Sequence, residues 1–206
     1  IEREGCLLHH AEQIAPETLD VAVGERLSFR RVYAVPNFGC WGDRSVVNTL
    51  HPEATAHFLR LTHEAFAREA GGDFGGCVPG IFTDEPSVHQ LCYAMPTGVA
   101  WYDGLPSRYA EWFGRDFWTD VPYWFFDGPG ARAIRLRLNR LILRQFHEAY
   151  SQPIGDWCEQ HGLHFTGHYL FEEDFLCQIR AHHGGIMTHY RAMAMPGIDQ
   201  IERNNH

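Results

Sequence analysis

The chain has 206 residues, 45% hydrophobic and 21% charged, enough to bury a real core, so it reads as globular. Its 17 basic and 26 acidic residues leave a net charge of −9, which argues against a nucleic-acid or anionic-membrane surface. No run approaches the roughly 20 apolar residues of a membrane span. The first residues, Ile1 to Gly5, begin without Met and lack a signal peptide's apolar core, so the chain reads as a piece of something longer, with its compartment left open. The six cysteines are scattered with no Cys-x-x-Cys pair, so buried free thiols are expected rather than a thiolate zinc site.

Residues 1–35 have β character, with short runs at Cys6–His9, Leu19–Val23 and Leu27–Val35. A loop of turn formers and aromatics, Pro36 to Asp43, follows and carries Asn37 and Trp41. Pro52 opens a helix with Ala56, Phe58, Leu59, Leu61, Ala65 and Phe66 at helical spacing, and Gly71-Gly72 closes it. Asn48 precedes that helix. An apolar strand from Val78 to Phe82 then ends in Asp84-Glu85-Pro86, where the proline stops the ladder. Neighbouring strand residues face opposite ways, so one acid would aim into a site and the other would brace it.

Residues 87–130 break the rhythm. Twelve aromatic side chains lie between Tyr93 and Phe126, punctuated by Pro96, Pro106 and Pro122, with short helices expected near Ser107–Phe113 and Phe117–Phe126. The segment has the make-up of a lid, and flat rings such as Trp101 and Trp118 can stack on sugar faces, although most rings in any such segment pack its own core. A long helical pattern runs from Ala131 to about Gln160 with an apolar stripe of Ile134, Leu138, Leu141, Ile142 and Phe146, and Pro153 should kink or restart it. A strand over 163–169 leads to Phe171-Glu-Glu-Asp174, then come helices near Phe175–His182 and Gly185–Ala194 and a last strand near Gly197–Ile201.

Two strands that each end in acids point to carboxylate chemistry at the mouth of a parallel sheet. Glycoside hydrolysis needs such a pair, one carboxyl to protonate the leaving oxygen and another to act as nucleophile or activate water. Glu85 suits the first role at its strand's C-terminal end, and Glu172 is the choice for the second, with Asp199 in reserve. Glu173 and Asp174 fit the ordinary role of acids at a helix start. His168 can bond a sugar hydroxyl or tune a neighbouring acid, and a satisfied core histidine is the competing reading. The 14 histidines raise a metal site as another possibility. However, His164 and His168 lie four apart on one strand, roughly 13 Å, and cannot share an ion.

The ordered set Asn48-Thr-Leu-His-Pro-Glu-Ala-Thr55, Gly80-Ile-Phe-Thr-Asp-Glu-Pro86, Pro153 to Gly162, Phe165-Thr-Gly-His-Tyr-Leu170 and Pro196-Gly-Ile-Asp199 resembles the catalytic barrel of large bacterial glycoside hydrolases, in particular the group around the family 106 α-L-rhamnosidases. The resemblance runs from about residue 30 to the end. It implies an α/β fold, a partial (β/α)8 (TIM-type) barrel over 36–206 with the insertion 87–130, behind a β-rich lead-in over 1–35. It also implies glycosidase activity, and a plant or bacterial polysaccharide or oligosaccharide is the expected substrate. Taken with the residue readings above, Glu85 and Glu172 are the expected catalytic pair, and Asp84, His168, Asn37, Trp41, Trp101, Trp118 and Asp199 are expected around the sugar. Rhamnose and calcium enter through the resemblance alone, and the residues themselves point to no cofactor. Strand starts near 29, 78, 163 and 197 make about four βα units where a barrel needs eight, so the expected partners are a carbohydrate and the remaining half of the barrel or another chain. A non-catalytic carbohydrate-binding module and a metal-dependent hydrolase are the rival readings.

Overall fold

The computed structural model describes residues 47–88 and 100–199, together with the short strands Glu2–Arg3 (β1), Cys6–Leu7 (β2) and Leu27–Ser28 (β3). The expected strand at 19–23 and the loop over 36–43 lie outside the described residues. The chain divides into two compact units, residues 1–45 with 103–138, and residues 46–102 with 139–206.

In the first unit, β1 pairs antiparallel with both β2 and β3, giving the order β2-β1-β3. The aromatic-rich stretch contributes helices α3 (Leu105–Phe113), α4 (Phe117–Asp120) and α5 (Pro122–Phe125). The expected single helix over 117–126 is split because Pro122 has no N–H to continue α4. Asp116 caps α4 by accepting the Thr119 amide at 2.7 Å. Leu105, Tyr109 and Phe117 are fully or almost fully buried. Beside them Asp120, with no side-chain exposure, accepts from Tyr109 Oη at 2.6 Å and from two Arg115 nitrogens at 2.5 Å each. Burial alone would raise the Asp120 pKa, but Arg115 and Tyr109 outweigh it and hold the carboxyl below its usual range. These rings therefore build a local core, which is the ordinary fate of aromatics.

The second unit is a three-stranded parallel sheet, β4 (Gly80–Asp84), β5 (His164–His168) and β6 (Met195–Pro196), in the order β4-β5-β6. Consecutive strands are neighbours, and helices lie between them in the chain: α6 (Ala131–Phe146), whose first half belongs to the other unit, and α7 (Gln152–Gln160) before β5, then α8 (Phe175–His182) and α9 (Met187–Tyr190) before β6. The stripe expected on α6 is buried along its whole length, from Ile134 to Phe146. Between α6 and α7 the helix widens into a π turn at His147–Ser151, where the Gln152 amide reaches the His147 carbonyl. Pro153 cannot donate to residue 149, and the wider turn absorbs that missing bond without a sharp break. Two π-turn side chains tie into the sheet: Tyr150 Oη sits 2.9 Å from Thr83 Oγ1, and Ser151 Oγ accepts from Tyr169 Oη at 2.7 Å.

Four sequence expectations need correction. The first strand starts at Gly80 rather than Val78, because Val78 is spent on a turn, with its amide on Asp73 and its carbonyl on Gly75. The first helix is two helices, α1 (Pro52–Leu61) and α2 (His63–Ala70), broken at Thr62, whose hydroxyl donates to the Phe58 carbonyl. Phe58, Leu61 and Phe66 stay 38–61% exposed, because the inward side is set by Thr55 and His63 instead. His63 meets Trp157 edge-on at 5.0 Å, and Trp157 Nε1 donates to Glu64. The helix expected over 185–194 shrinks to α9, since the chain then hands the Ala194 amide to Phe165 of β5. The last strand among the described residues is Met195–Pro196, while residues 200–201 of the strand expected over 197–201 lie outside the described residues. Beyond it the Gly197 amide still reaches the Gly167 carbonyl, but the Gly197 carbonyl is taken by Tyr190 and the Asp199 amide by Glu172.

Helices cover the sheet face that carries Thr83 and Phe165. The opposite face carries Phe82, Thr166 and Met195, with Phe82 62% and Met195 55% exposed. Among the described residues, no helix is long and apolar enough to cross a membrane.

The sheet's tightest approach is at Gly167, which has φ +131° and leaves no room for a Cβ against the Thr83 backbone. Gly167→Ala should cost at least about 2 kcal/mol, through both a rare backbone conformation and overlap with a fixed carbonyl. A denaturant midpoint equal to that of the unsubstituted protein would contradict this spacing.

His189 is fully buried, between the Tyr169 and Phe146 rings at 4.9 and 4.5 Å, with Ser151 Oγ 3.2 Å from Nδ1. Burial pushes its pKa well below the usual value, and His63 and His147 are lowered for the same first reason. A lowered histidine pKa means that the unfolded chain binds more protons as pH falls below about 6.5, so folding stability is lost on acidification from that point. Chemical denaturation between pH 7.5 and 5 should show this slope, and it should be shallower in His189→Gln, where the other two histidines still contribute.

Candidate active site

The parallel register sets Asp84, the last residue of β4, opposite His168, the last of β5. Gly80, Phe82 and Asp84 share one face with His164, Thr166 and His168, because side chains alternate along a strand and parallel partners stay in step. His168 is 7% exposed. Its Nε2 lies 3.0 Å from Asp84 Oδ1 and its Nδ1 lies 2.9 Å from Glu172 Oε1. Nδ1 is nevertheless without an aligned hydrogen bond, so the Glu172 contact is one of proximity rather than of directed donation. The Phe82 ring meets the imidazole edge-on at 5.7 Å.

Glu85 follows with φ 48°, a left-handed conformation that is uncommon outside glycine. Its amide donates to the His168 carbonyl at 3.2 Å. The strand ends here and the chain turns, which changes the expectation that Asp84 and Glu85 must look opposite ways. Both reach the surroundings of His168: Asp84 by alternation along β4, Glu85 by the left-handed turn. Glu85, His168 and Asp199 each bring a ligand-type atom within 4.8 Å of the others.

Glu172 is placed by a second left-handed residue, Phe171, with φ 66°. Its side chain is 2% exposed and its Oε1 accepts the Asp199 amide at 2.6 Å. The three acids before α8 are placed differently. Asp174 caps α8 by accepting the Leu176 and Cys177 amides at 2.9 and 3.0 Å, Glu173 is exposed, and Glu172 alone turns inward. Both Glu85 and Glu172 come close to one imidazole, so their carboxylates are no more than about 10 Å apart, a limit that admits both a retaining pair, about 5 Å, and an inverting pair, about 6.5–9.5 Å.

Burial raises the Glu85 pKa; His168 works against this, while Asp84, Glu172 and Asp199 add to it. A carboxyl made easier to protonate, at a strand end and beside other acids, is suited to donate a proton. The trio Glu85, His168 and Asp199 is the only three-ligand group among the described residues. An imidazole with two carboxylates suits zinc, manganese or iron. Calcium takes six to eight oxygens, so this trio does not fit the calcium that the family resemblance implies.

Asn37 and Trp41 lie outside the described residues. Trp118 belongs to the other unit, where its ring packs edge-on against Phe117 at 5.2 Å. Trp101 is half-buried and its carbonyl accepts from Asn48 Nδ2 at 3.0 Å. Asn48 also accepts the Leu50 amide, in a turn just before α1. Of the other histidines, His182 bonds the Leu170 carbonyl, His183 the Asn139 side chain and His189 Ser151. Sequence reasoning missed Tyr150, Ser151 and Tyr190, which hold the site's strands from behind. No local motif marks them, because each acts through a fold-level contact.

No family model matches this chain, and no curated protein or solved structure matches it.

Glu85 combines a left-handed backbone with an unfavourable charge. Glu85→Asn keeps a residue that tolerates this conformation and removes the carboxylate, so it should raise the thermal unfolding midpoint at pH 7, by about 1 kcal/mol of stability. The folded-state pKa is raised, so the gain should be full above that pKa and shrink as pH falls toward 4.5. A lower midpoint at every pH would show that Glu85 is a structural rather than a strained residue.

Proposed function

We propose that this chain carries the acid/base site of a glycoside hydrolase, built on part of a (β/α)8-type barrel, with Glu85 as general acid and Glu172 as its counterpart. The observation that carries the reading is the delivery of two carboxylates from the C-terminal ends of adjacent parallel strands to one buried imidazole, each through a left-handed residue. Strain of this kind costs about 1–3 kcal/mol per residue and persists where the surroundings enforce it, commonly at active sites. Neighbouring parallel strands in chain order and helices on one sheet face support the barrel part of the proposal. In a barrel the other face, with Phe82 and Met195, is the interior.

In this mechanism Glu85, made easier to protonate by its setting, gives its proton to the glycosidic oxygen as the bond to the anomeric carbon breaks. Glu172, oriented by the Asp199 amide, takes a proton from a water that attacks the opposite face of the sugar. Product inversion follows, and the leaving alcohol departs neutral. Asp84 and Asp199 are placed to bond sugar hydroxyls. The resemblance to the α-L-rhamnosidase group makes an α-L-rhamnoside the first substrate to try.

The ligand trio favours a metal-dependent hydrolase as the second reading. Activity lost on chelation and restored by zinc would select it. Sugar binding without turnover would select a carbohydrate-binding module.

The test is hydrolysis of aryl α-L-rhamnosides, and then of other aryl glycosides, by the intact protein. Glu85→Gln should lower kcat about 10²–10⁴-fold on a poor leaving group and much less on an activated one that needs no acid, whereas Glu172→Gln should lose activity on both. The rate should fall as pH rises through the raised Glu85 pKa. Full activity in Glu85→Gln on a poor leaving group would end the assignment.

A further inference from the structure

We propose that Tyr190 is a positioning residue of the carboxylate pair, acting on Glu172 through the segment Gly197–Asp199. This rests on the glycosidase reading for its catalytic consequence, but not for its geometry. Tyr190 ends α9, is 8% exposed, and sets its ring edge-on to Tyr169 at 5.7 Å, one residue after His168. Its hydroxyl donates to the Gly197 carbonyl at 2.7 Å. The Gly197 amide donates to the Gly167 carbonyl at 2.8 Å, and a Cβ on Gly197 would press against that same oxygen at 2.9 Å. The Gly197 backbone is therefore held from two sides, by β5 and by Tyr190.

Two residues later, the Asp199 amide donates to Glu172 Oε1 at 2.6 Å, and this is the oxygen that lies 2.9 Å from His168 Nδ1. The orientation of Glu172 thus depends on where residues 197–199 run. Those residues lie beyond β6, and Ile198 between them is 70% exposed and anchors nothing by packing. The phenol is the grip that keeps this stretch from swinging out. Burial first, and then the charge of Glu172, push its pKa up to about 12, so it remains a donor throughout the working range.

The reason to bind a carboxylate with a backbone amide is geometric. A charge-assisted N–H···O bond is short and directional, and it selects one of the carboxylate's rotamers. Misplacing a reacting group by about 1 Å costs up to 10²-fold in rate even when binding is intact. A side chain that does no chemistry can therefore control kcat.

The experiment is Tyr190→Phe in the intact protein, which removes one oxygen atom and keeps the ring. The Asp199 amide proton resonance, which lies downfield when donated to a carboxylate, should move upfield. On a glycoside that the unsubstituted protein cleaves, kcat should fall about tenfold with KM within twofold. An unmoved Asp199 resonance overturns the proposal, and so does a moved resonance with unchanged kcat. If the unsubstituted protein cleaves no glycoside, the functional reading fails while the Asp199 resonance still decides the positioning link. If Tyr190→Phe does not fold, hydrogen exchange in the unsubstituted protein decides: slow exchange at the Asp199 amide supports the grip, and exchange at the rate of an open loop overturns it.

Discussion

The pairing of β4 with β5 is the constraint on which the site depends. Their parallel register sets Thr83 against Gly167 and Asp84 against His168, and the absence of a side chain at Gly167 lets the two backbones close to that distance. A residue with a Cβ at 167 would force the strands apart or slip the register, and a slip of one residue would turn His168 to the helix-covered face. Every later feature of the site is counted from this pairing. Glu85 is one step past Asp84, Glu172 is four past His168, and the amide of Glu85 is fastened to the carbonyl of His168.

Around that pairing, four carboxylates, Asp84, Glu85, Glu172 and Asp199, converge on one imidazole. Like charges at such range repel, and water alone does not relieve a side chain as enclosed as Glu172. The compensation is local: His168 lies against Glu172 and Asp84, and the Asp199 amide donates to Glu172. Glu85, in a left-handed conformation, has its pKa raised first by burial and then by the neighbouring acids. Such a conflict is tolerated where the surrounding packing is stiff. Here that packing is the buried cluster of Phe146, Tyr169, His182 and His189 behind the strands, tied by the π turn to Thr83 and Tyr169.

Much of the local structure was legible in the residues. The α6 stripe, the strand expected over 163–169 and observed at His164–His168, the α8 boundaries and the capping role of Asp174 follow from periodicity and helix-end chemistry, which operate over a few residues. The α1–α2 segment was misleading for a definite reason. Apolar residues at helical spacing identify a helix face, but whether that face is turned inward depends on what packs against it, and Trp157 engages His63 and Glu64 instead. Residues 197–199 of the strand expected over 197–201 lie outside β6 for a similar reason, because β propensity says nothing about side chains that arrive from α9 and the 171–174 turn to claim the backbone.

The sequence by itself determined which residues are candidates for the chemistry. It singled out Glu85 and Glu172 as acids at strand ends, and it separated Glu172 from its capping neighbour Asp174, since carboxylates and helix starts have short-range signatures. Only the tertiary structure decided which of these groups meet. The left-handed turns at Glu85 and Phe171, the register at Gly167 and the reach of Tyr190 bring together residues up to 115 positions apart in the chain, Asp84 and Asp199 among them. Contacts at that separation arise from packing and backbone closure, and no local pattern encodes them.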